Sequence, residues 1–328
     1  MTVADLELRP ATLDDASLVA DIGTEVHPDD AVDPQLERHW WSIPTDDVSE
    51  RRIATHGTEV AGYTIRRHPQ WAKMPERFTR IDAELRPAMR TAERLDALYE
   101  LLEAESRADG TTTVTTWAWD GDTLRKDMLA ARGYREERRE RFWELDLGAE
   151  RSRIERMTEA SRAKLRRDGV ELLTLARDTD PDRLAKLHRM STEAEGDVPT
   201  TVPHVEQTFE EFTQWLASPG LRQDRMWIAR QADDILGISM LAYPPVRGVV
   251  ATEWTGMARR ARGRGIARAL KCETLMQAIA LGVDRVRTDN DSTNAPILHI
   301  NETMGYRRRS DMVQYLKVLR RAGSMAAG

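Results

Sequence analysis

The stretch VVATEWTGMARRARGRGIARALKCETLMQAIALG, residues 249–282, decides the reading of this chain. It opens with a strand-like run, passes through an Arg/Gly turn and continues as a long helical pattern. Ile266, Leu270, Leu275 and Ile279 supply an apolar stripe, which predicts an amphipathic helix. Gly263 and Gly265 let backbone N–H groups come close to a ligand. The turn opens a helix, where unpaired N–H groups and the helix dipole favour an anion. Arg259, Arg260, Arg262, Arg264, Arg268 and Lys271 add positive charge. Such a turn suits a pyrophosphate.

The nucleotide-binding alternatives fit poorly. A P-loop needs G-x-x-x-x-G-K-[ST], which is absent. A dinucleotide fold wants G-x-G-x-x-G after the first strand of its domain, with an acid about 20 residues on. Here only two glycines occur, after the third or fourth strand.

The pattern resembles the GNAT superfamily of acyl-CoA-dependent N-acyltransferases, whose cofactor motif is [QR]-x-x-G-x-[GA] at the start of a central helix. Arg260-Ala261-Arg262-Gly263-Arg264-Gly265 matches every defined position. Thr255-Gly256-Met257, Thr288-Asp289-Asn290 with Asn294, and Ile300–Tyr306 are also similar to this superfamily, so the resemblance covers the C-terminal half. It implies an acyl-CoA, acetyl-CoA first, as co-substrate. Backbone N–H groups from Arg262 to Gly265 would hold the pyrophosphate, with Arg260, Ile266 and Ala267 around it. Thr255 and Met257 would pair with the pantetheine arm and place the acyl carbonyl. Asn290 and Asn294 would touch the arm where the sheet splays. Many members place a tyrosine acid four residues before the Gly-Phe or Gly-Tyr pair. Here that position is Asn301, which cannot give up a proton but can hydrogen-bond the cofactor. Glu253 is the candidate base, because strand alternation puts it on one face with Thr255 and Met257. Cys272 reads as packing, not as a nucleophile.

An internal repeat sets the architecture. MLAARGYREERRERFWELDL (128–147) and NETMGYRRRSDMVQYLKVL (301–319) each end a helix at Gly-Tyr and run into a strand. Gly133 and Gly305 lie 172 residues apart. LELRPATLDDASLVADI (6–22) resembles VELLTLARDTDPDRLAKLHRM (170–190): a short strand, Asp residues suited to an N-cap, then a helix. Each half also shows three further strands, one set around Gly57 and one around Ala232–Asp234. The expected fold is α/β with α+β mixing. It comprises two tandem GNAT-like domains, each a mostly antiparallel sheet flanked by helices and splayed at the cofactor site. Expected ranges are 1–147 for a degenerate domain, 148–168 for a charged connector, 169–320 for the cofactor-binding domain and 321–328 for a flexible tail.

The same offset places Arg260, Gly263 and Gly265 on Ala88, Thr91 and Glu93, and Asn290 and Asn294 on Ala118 and Asp122. Both glycines are lost there, so the first half is expected to be structural or acceptor-binding. Asp29, Asp30, Trp40, Trp41, Glu195 and Asp197 are candidates for a cationic acceptor.

Composition narrows the classes further. The 328 residues are 40% hydrophobic and 32% charged, with a formal net charge of -6. That balance gives no global attraction for nucleic acid or anionic membrane. No run approaches 18 apolar residues and the N-terminus lacks signal-peptide character, so the expectation is a cytoplasmic protein with no membrane or nucleic-acid partner. The single Cys272 and the scattered histidines offer no metal site. The reading is an N-acetyltransferase that moves an acetyl group directly to a primary amine of a small molecule, as a monomer or homodimer. The alternatives are a non-catalytic acyl-CoA sensor or assembly protein, and a mycothiol-synthase-like acetyltransferase.

Overall fold

The computed structural model describes residues 1–319; the tail expected at 321–328 lies outside the described residues. The chain divides into two compact units. Unit 1 begins with β1 (Thr2–Val3), β2 (Leu6–Pro10), α1 (Ala16–Val26), α2 (Pro34–Ser42), β3 (Val48–His56), β4 (Glu59–His68) and β5 (Phe78–Leu85). It continues through α3 (Ala92–Ala108), β6 (Thr113–Trp119), α4 (Thr123–Ala131) and the first half of β7 (Arg135–Asp146). Neighbouring strands from β1 to β5 pair antiparallel, and β5 and β6 pair parallel. A parallel pair needs a long crossover, which α3 supplies. Leu6, Ile81, Leu85, Leu95, Leu98 and Tyr99 form the middle of its core.

Unit 2 takes in the second half of β7 and α5 (Leu147–Arg167), then β8 (Glu171–Thr174), α6 (Arg183–Glu195), α7 (Phe209–Leu216), β9 (Met226–Gln231) and β10 (Asp234–Ala242). β11 (Ala251–Met257), α8 (Ile266–Ala280), β12 (Arg285–Asp291), α9 (Ala295–Met304) and β13 (Arg307–Arg308) complete it. Its strand order is β7-β12-β11-β10-β9-β8, and α8 bridges the parallel pair β11/β12. Each unit is thus a mixed, mostly antiparallel sheet flanked by helices, and the order of elements repeats. Gly133 and Gly305 both adopt left-handed backbone, at φ 82° and 95°, and terminate α4 and α9. In both, the following tyrosine N–H donates five residues back, Tyr134 to Leu129 at 3.0 Å and Tyr306 to Asn301 at 3.1 Å.

The last strand, β14 (Met312–Val318), follows a different course from the sequence division. The ranges 1–147 and 169–320 give it to the second half, yet it lies within unit 1. There it pairs antiparallel with β6 along its whole length and with β7 from Arg135 to Glu140. Val313, Tyr315 and Leu319 join the core of unit 1. β7 is long enough to serve both units, with Trp143 and Leu145 packed in the core of unit 2. The connector expected at 148–168 is helix α5, which packs along α8 through Leu147, Ile154 and Leu165 among others. Among the described residues, no helix is long and apolar enough to cross a membrane.

Candidate active site

The Arg/Gly turn sits where β11 passes to α8. A short 3-10 turn over Arg259–Ala261 ends at Arg262, which is extended. Gly263 and Gly265 follow at φ 73° and 84°. These angles suit glycine and cost other L-residues about 1–2 kcal/mol. A Cβ on Gly263 would face open space, so the glycine is required by backbone conformation and not by crowding. Gly265 is the N-cap of α8 and supplies no side chain to cap the first N–H groups, which leaves them to a ligand. The Lys164 ammonium of α5 donates to the Arg264 carbonyl and adds a cation beside Gly265.

The arginines of the turn are held by partners from unit 2. Asp197 accepts from Arg259 at 2.7 and 2.8 Å and pairs with Arg262 at 2.8 Å. Arg259, and after it Arg262, hold the Asp197 carboxyl down at about 2. Asp197, a candidate acceptor residue by sequence, therefore braces the turn. Arg260 pairs with Asp234 at 2.8 Å, and Arg264 donates to Gln231 at 3.2 Å. Ile266 is buried and anchors the first turn of α8, with Ala267 beside it.

The sheet opens next to this turn. β11 and β12 meet at Ala251 and Arg287, with the Arg287 N–H donating to Val250 at 2.9 Å. Toward Met257 and Asp291 the two strands share no further registered pair, so the β11 edge from Thr252 to Met257 is left unpaired on its β12 side. Met257 covers Gly237 of β10, and Thr255 Oγ1 shares a 2.9 Å hydrogen bond with Ser239 Oγ. Asn301 Nδ2 donates to Asn290 Oδ1 at 2.6 Å. Asn301 is fully buried and its Oδ1 has no partner. Asn294 is the N-cap of α9 and makes no side-chain capping bond.

Glu253 sits at a β-bulge: opposite Met240 and Leu241 of β10 stand Trp254 and Thr252, with Glu253 between them. A bulge re-aims the side chain it carries, so simple alternation does not fix its direction. Its carboxylate is exposed and accepts from Trp215 Nε1 of α7 at 2.7 Å.

Two expectations for α8 need correction. The apolar stripe predicts an amphipathic helix, but every residue from Ala269 to Leu275 is buried, because α5 covers the side away from the sheet. Lys271, counted among the cations of the turn, is 1% exposed and belongs to the interior. Its neighbour Glu273 is buried against Arg162 of α5, with both contacts at 2.6 Å. The only hint in sequence is that Lys271 directly follows a stripe residue, Leu270. Cys272 is buried as expected, and burial pushes its thiol up to about 11.

At the corresponding place in unit 1 the helix starts are capped by the chain's own side chains. Thr91 Oγ1 caps α3 by accepting from the Arg94 N–H at 3.2 Å. Asp122 caps α4 and pairs with Arg90. Arg125 is buried against Glu84 at 2.7 Å and donates to the Ala83 carbonyl at 2.6 Å. Burial raises the Glu84 carboxyl, but Arg125 and His27 outweigh it and hold the group below its ordinary range. A cavity of about 340 Å³ remains, lined by His27, Arg90, Trp119 and Asp122 among others. Asp29, Asp30 and Trp40 do not line it, and Trp41 donates to Glu37 at 2.6 Å. Arg125→Met strands the Glu84 carboxylate, and the expected loss is about 3–5 kcal/mol of stability at neutral pH. A depressed carboxyl stabilises the fold above its unfolded value and loses that contribution as pH falls. The gap between wild type and variant, read by urea unfolding, should therefore narrow through the carboxylate range.

No protein-family model and no curated protein matches the chain. Solved structures do. The chain is similar to a tandem GNAT protein from the clavulanic acid biosynthesis pathway at 14% identity, covering 95% of this chain and 98% of that one with a TM-score of 0.72. It is also similar to a GCN5-related N-acetyltransferase from Sphaerobacter thermophilus at 18% identity, covering 97% and 98%, with a TM-score of 0.68. The chain has the tandem GNAT fold.

Proposed function

We propose that unit 2 binds an acyl-CoA, with acetyl-CoA the first candidate, and transfers its acyl group directly to a primary amine of a small molecule. The observation that carries this reading is the pair of left-handed glycines, Gly263 and Gly265, at an uncapped helix start beside the β11 edge left unpaired on its β12 side. Backbone N–H groups from Arg262 to Gly265 and the start of α8 hold the pyrophosphate, helped by Arg260 and Lys164. The edge of β11 at Thr255 and Met257 pairs with the pantetheine arm, while Asn290, Asn294 and Asn301 supply polar contacts on the other side. Cys272 is buried with a raised thiol, which supports direct transfer over a covalent intermediate.

The amine must be neutral to attack, and Glu253 takes its proton directly or through water. Titration calorimetry with acetyl-CoA, followed by free-thiol release across an amine panel, tests the reading. Binding with thiol release by some amine supports it, and failure to bind acetyl-CoA sinks it. Binding without release by any amine favours a sensor, the reading that Asn301 keeps open. With an active amine in hand, Glu253→Gln should lower kcat/KM roughly 100-fold. An unchanged kcat/KM takes Glu253 out of the mechanism.

A further inference from the structure

Acylation of an amine leaves a thiolate, and the thiolate needs a proton that Asn301 cannot supply. Three buried polar atoms without hydrogen-bond partners are linked around Tyr306: Lys271 Nζ, Tyr306 Oη and Asn301 Oδ1. Lys271 and Asn301 are 1% and 0% exposed. The Lys271 ammonium lies 5.3 Å from the centre of the Tyr306 ring. Tyr306 in turn lies beside Thr252, the first residue of β11 past the last strand pair, without a well-formed hydrogen bond. The Tyr306 N–H donates to the Asn301 carbonyl, and the Asn301 amide reaches Asn290 of β12. Lys271 is six residues into α8 from Gly265, about 9 Å deeper along the helix. An arm held at its pyrophosphate by the turn and laid along β11 ends toward this cluster.

Several other buried charges among the described residues are paired: Glu273 with Arg162, Arg125 with Glu84, and Glu103 with Arg132 and Lys317. An unpaired buried ammonium is costly and is kept where something compensates it.

Building on the acyl-CoA reading of unit 2, we propose that Lys271 protonates the sulfur that leaves when the acyl group is transferred. The amine nitrogen forms a bond to the acyl carbon, and the carbon–sulfur bond breaks with its electron pair going to sulfur. A proton on Lys271 Nζ passes to that sulfur, releasing CoA as the thiol. The neutral lysine is recharged by the proton that Glu253 takes from the amine nitrogen, returned by way of water. Burial lowers the Lys271 ammonium to about 8, against the pull of Asp289 on β12 and Cys272 on its own helix. Glu273, two residues on along the same helix, is engaged with Arg162 of α5. A lysine in that range holds its proton at neutral pH and gives it up readily.

The test needs no acceptor. CoA is bound to the full chain and its thiol is titrated by thiolate absorbance, with desulfo-CoA as the blank. An ammonium beside the sulfur should favour the thiolate, so bound CoA ionises at least tenfold more readily on the wild type than on Lys271→Met. Lys271→Met removes a buried charge and should unfold at no lower temperature than wild type at pH 7. Lys271→Gln, also without a titrating proton, provides the same comparison should methionine disturb the packing. Equal thiol ionisation in the wild type and both variants overturns the proposal while leaving the cofactor site intact. A wild-type protein that does not bind CoA overturns both.

Discussion

Gly263→Glu should weaken acetyl-CoA binding by at least 100-fold, and Thr91→Glu should leave it unchanged. Gly263 stands at φ 73°, where a side chain costs about 1–2 kcal/mol in any L-residue. Its Cβ position is open, so glutamate would fit without a clash, and its carboxylate would lie against the N–H groups meant for phosphate. Two like charges about 4 Å apart repel by about 4 kcal/mol at the effective dielectric of a protein surface. A hundredfold loss corresponds to about 2.7 kcal/mol, below the repulsion alone, while the backbone cost falls on stability. Thr91, the counterpart in unit 1, already caps its own helix. Glutamate there costs a cap, about 1 kcal/mol of stability, and touches no ligand site. Equal loss in both variants, measured by calorimetry at one salt concentration, would sink the assignment of a single site to unit 2.

A chain ending at Arg309 should lose the folded state of unit 1, although the cut lies at the far end of the sequence. Removing β14 strips β6 of its antiparallel partner from Thr113 to Trp119, leaving only β5 along Thr113–Thr115, and strips β7 of its partner from Arg135 to Glu140. It also removes Val313, Tyr315 and Leu319 from the core, each 4% exposed or less. Side chains of this kind contribute roughly 1.5–3 kcal/mol each by burial. Together with the lost ladder, that approaches or exceeds the roughly 5–15 kcal/mol that a domain has in hand. Amide exchange read by mass spectrometry should show protection lost over 78–85 and 113–119 but kept over 226–242. Full protection of unit 1 in the shortened chain would mean that β14 is dispensable.

The features legible in sequence are those that short segments specify alone. The Gly-Tyr helix ends at 133–134 and 305–306 read correctly because a left-handed C-terminal cap is a local demand that glycine meets. The strand order around Gly57 and Ala232–Asp234 followed from alternation and turn residues. The hidden features depend on what lies across space. Lys271 looks like one more basic residue of a basic turn, and only the packing of α8 against distant residues such as Tyr306 makes it an interior ammonium. Glu253 looks in phase with Thr255, and only the pairing with β10 reveals the bulge.

The Arg/Gly turn, its two left-handed glycines and the helix it opens were determined by the sequence itself, because backbone conformation is settled within a few residues. Which unit receives β14, which lysine is buried and which way Glu253 points were decided by tertiary structure. Strand partners and burial depend on surfaces contributed by residues far along the chain, and no local pattern encodes them.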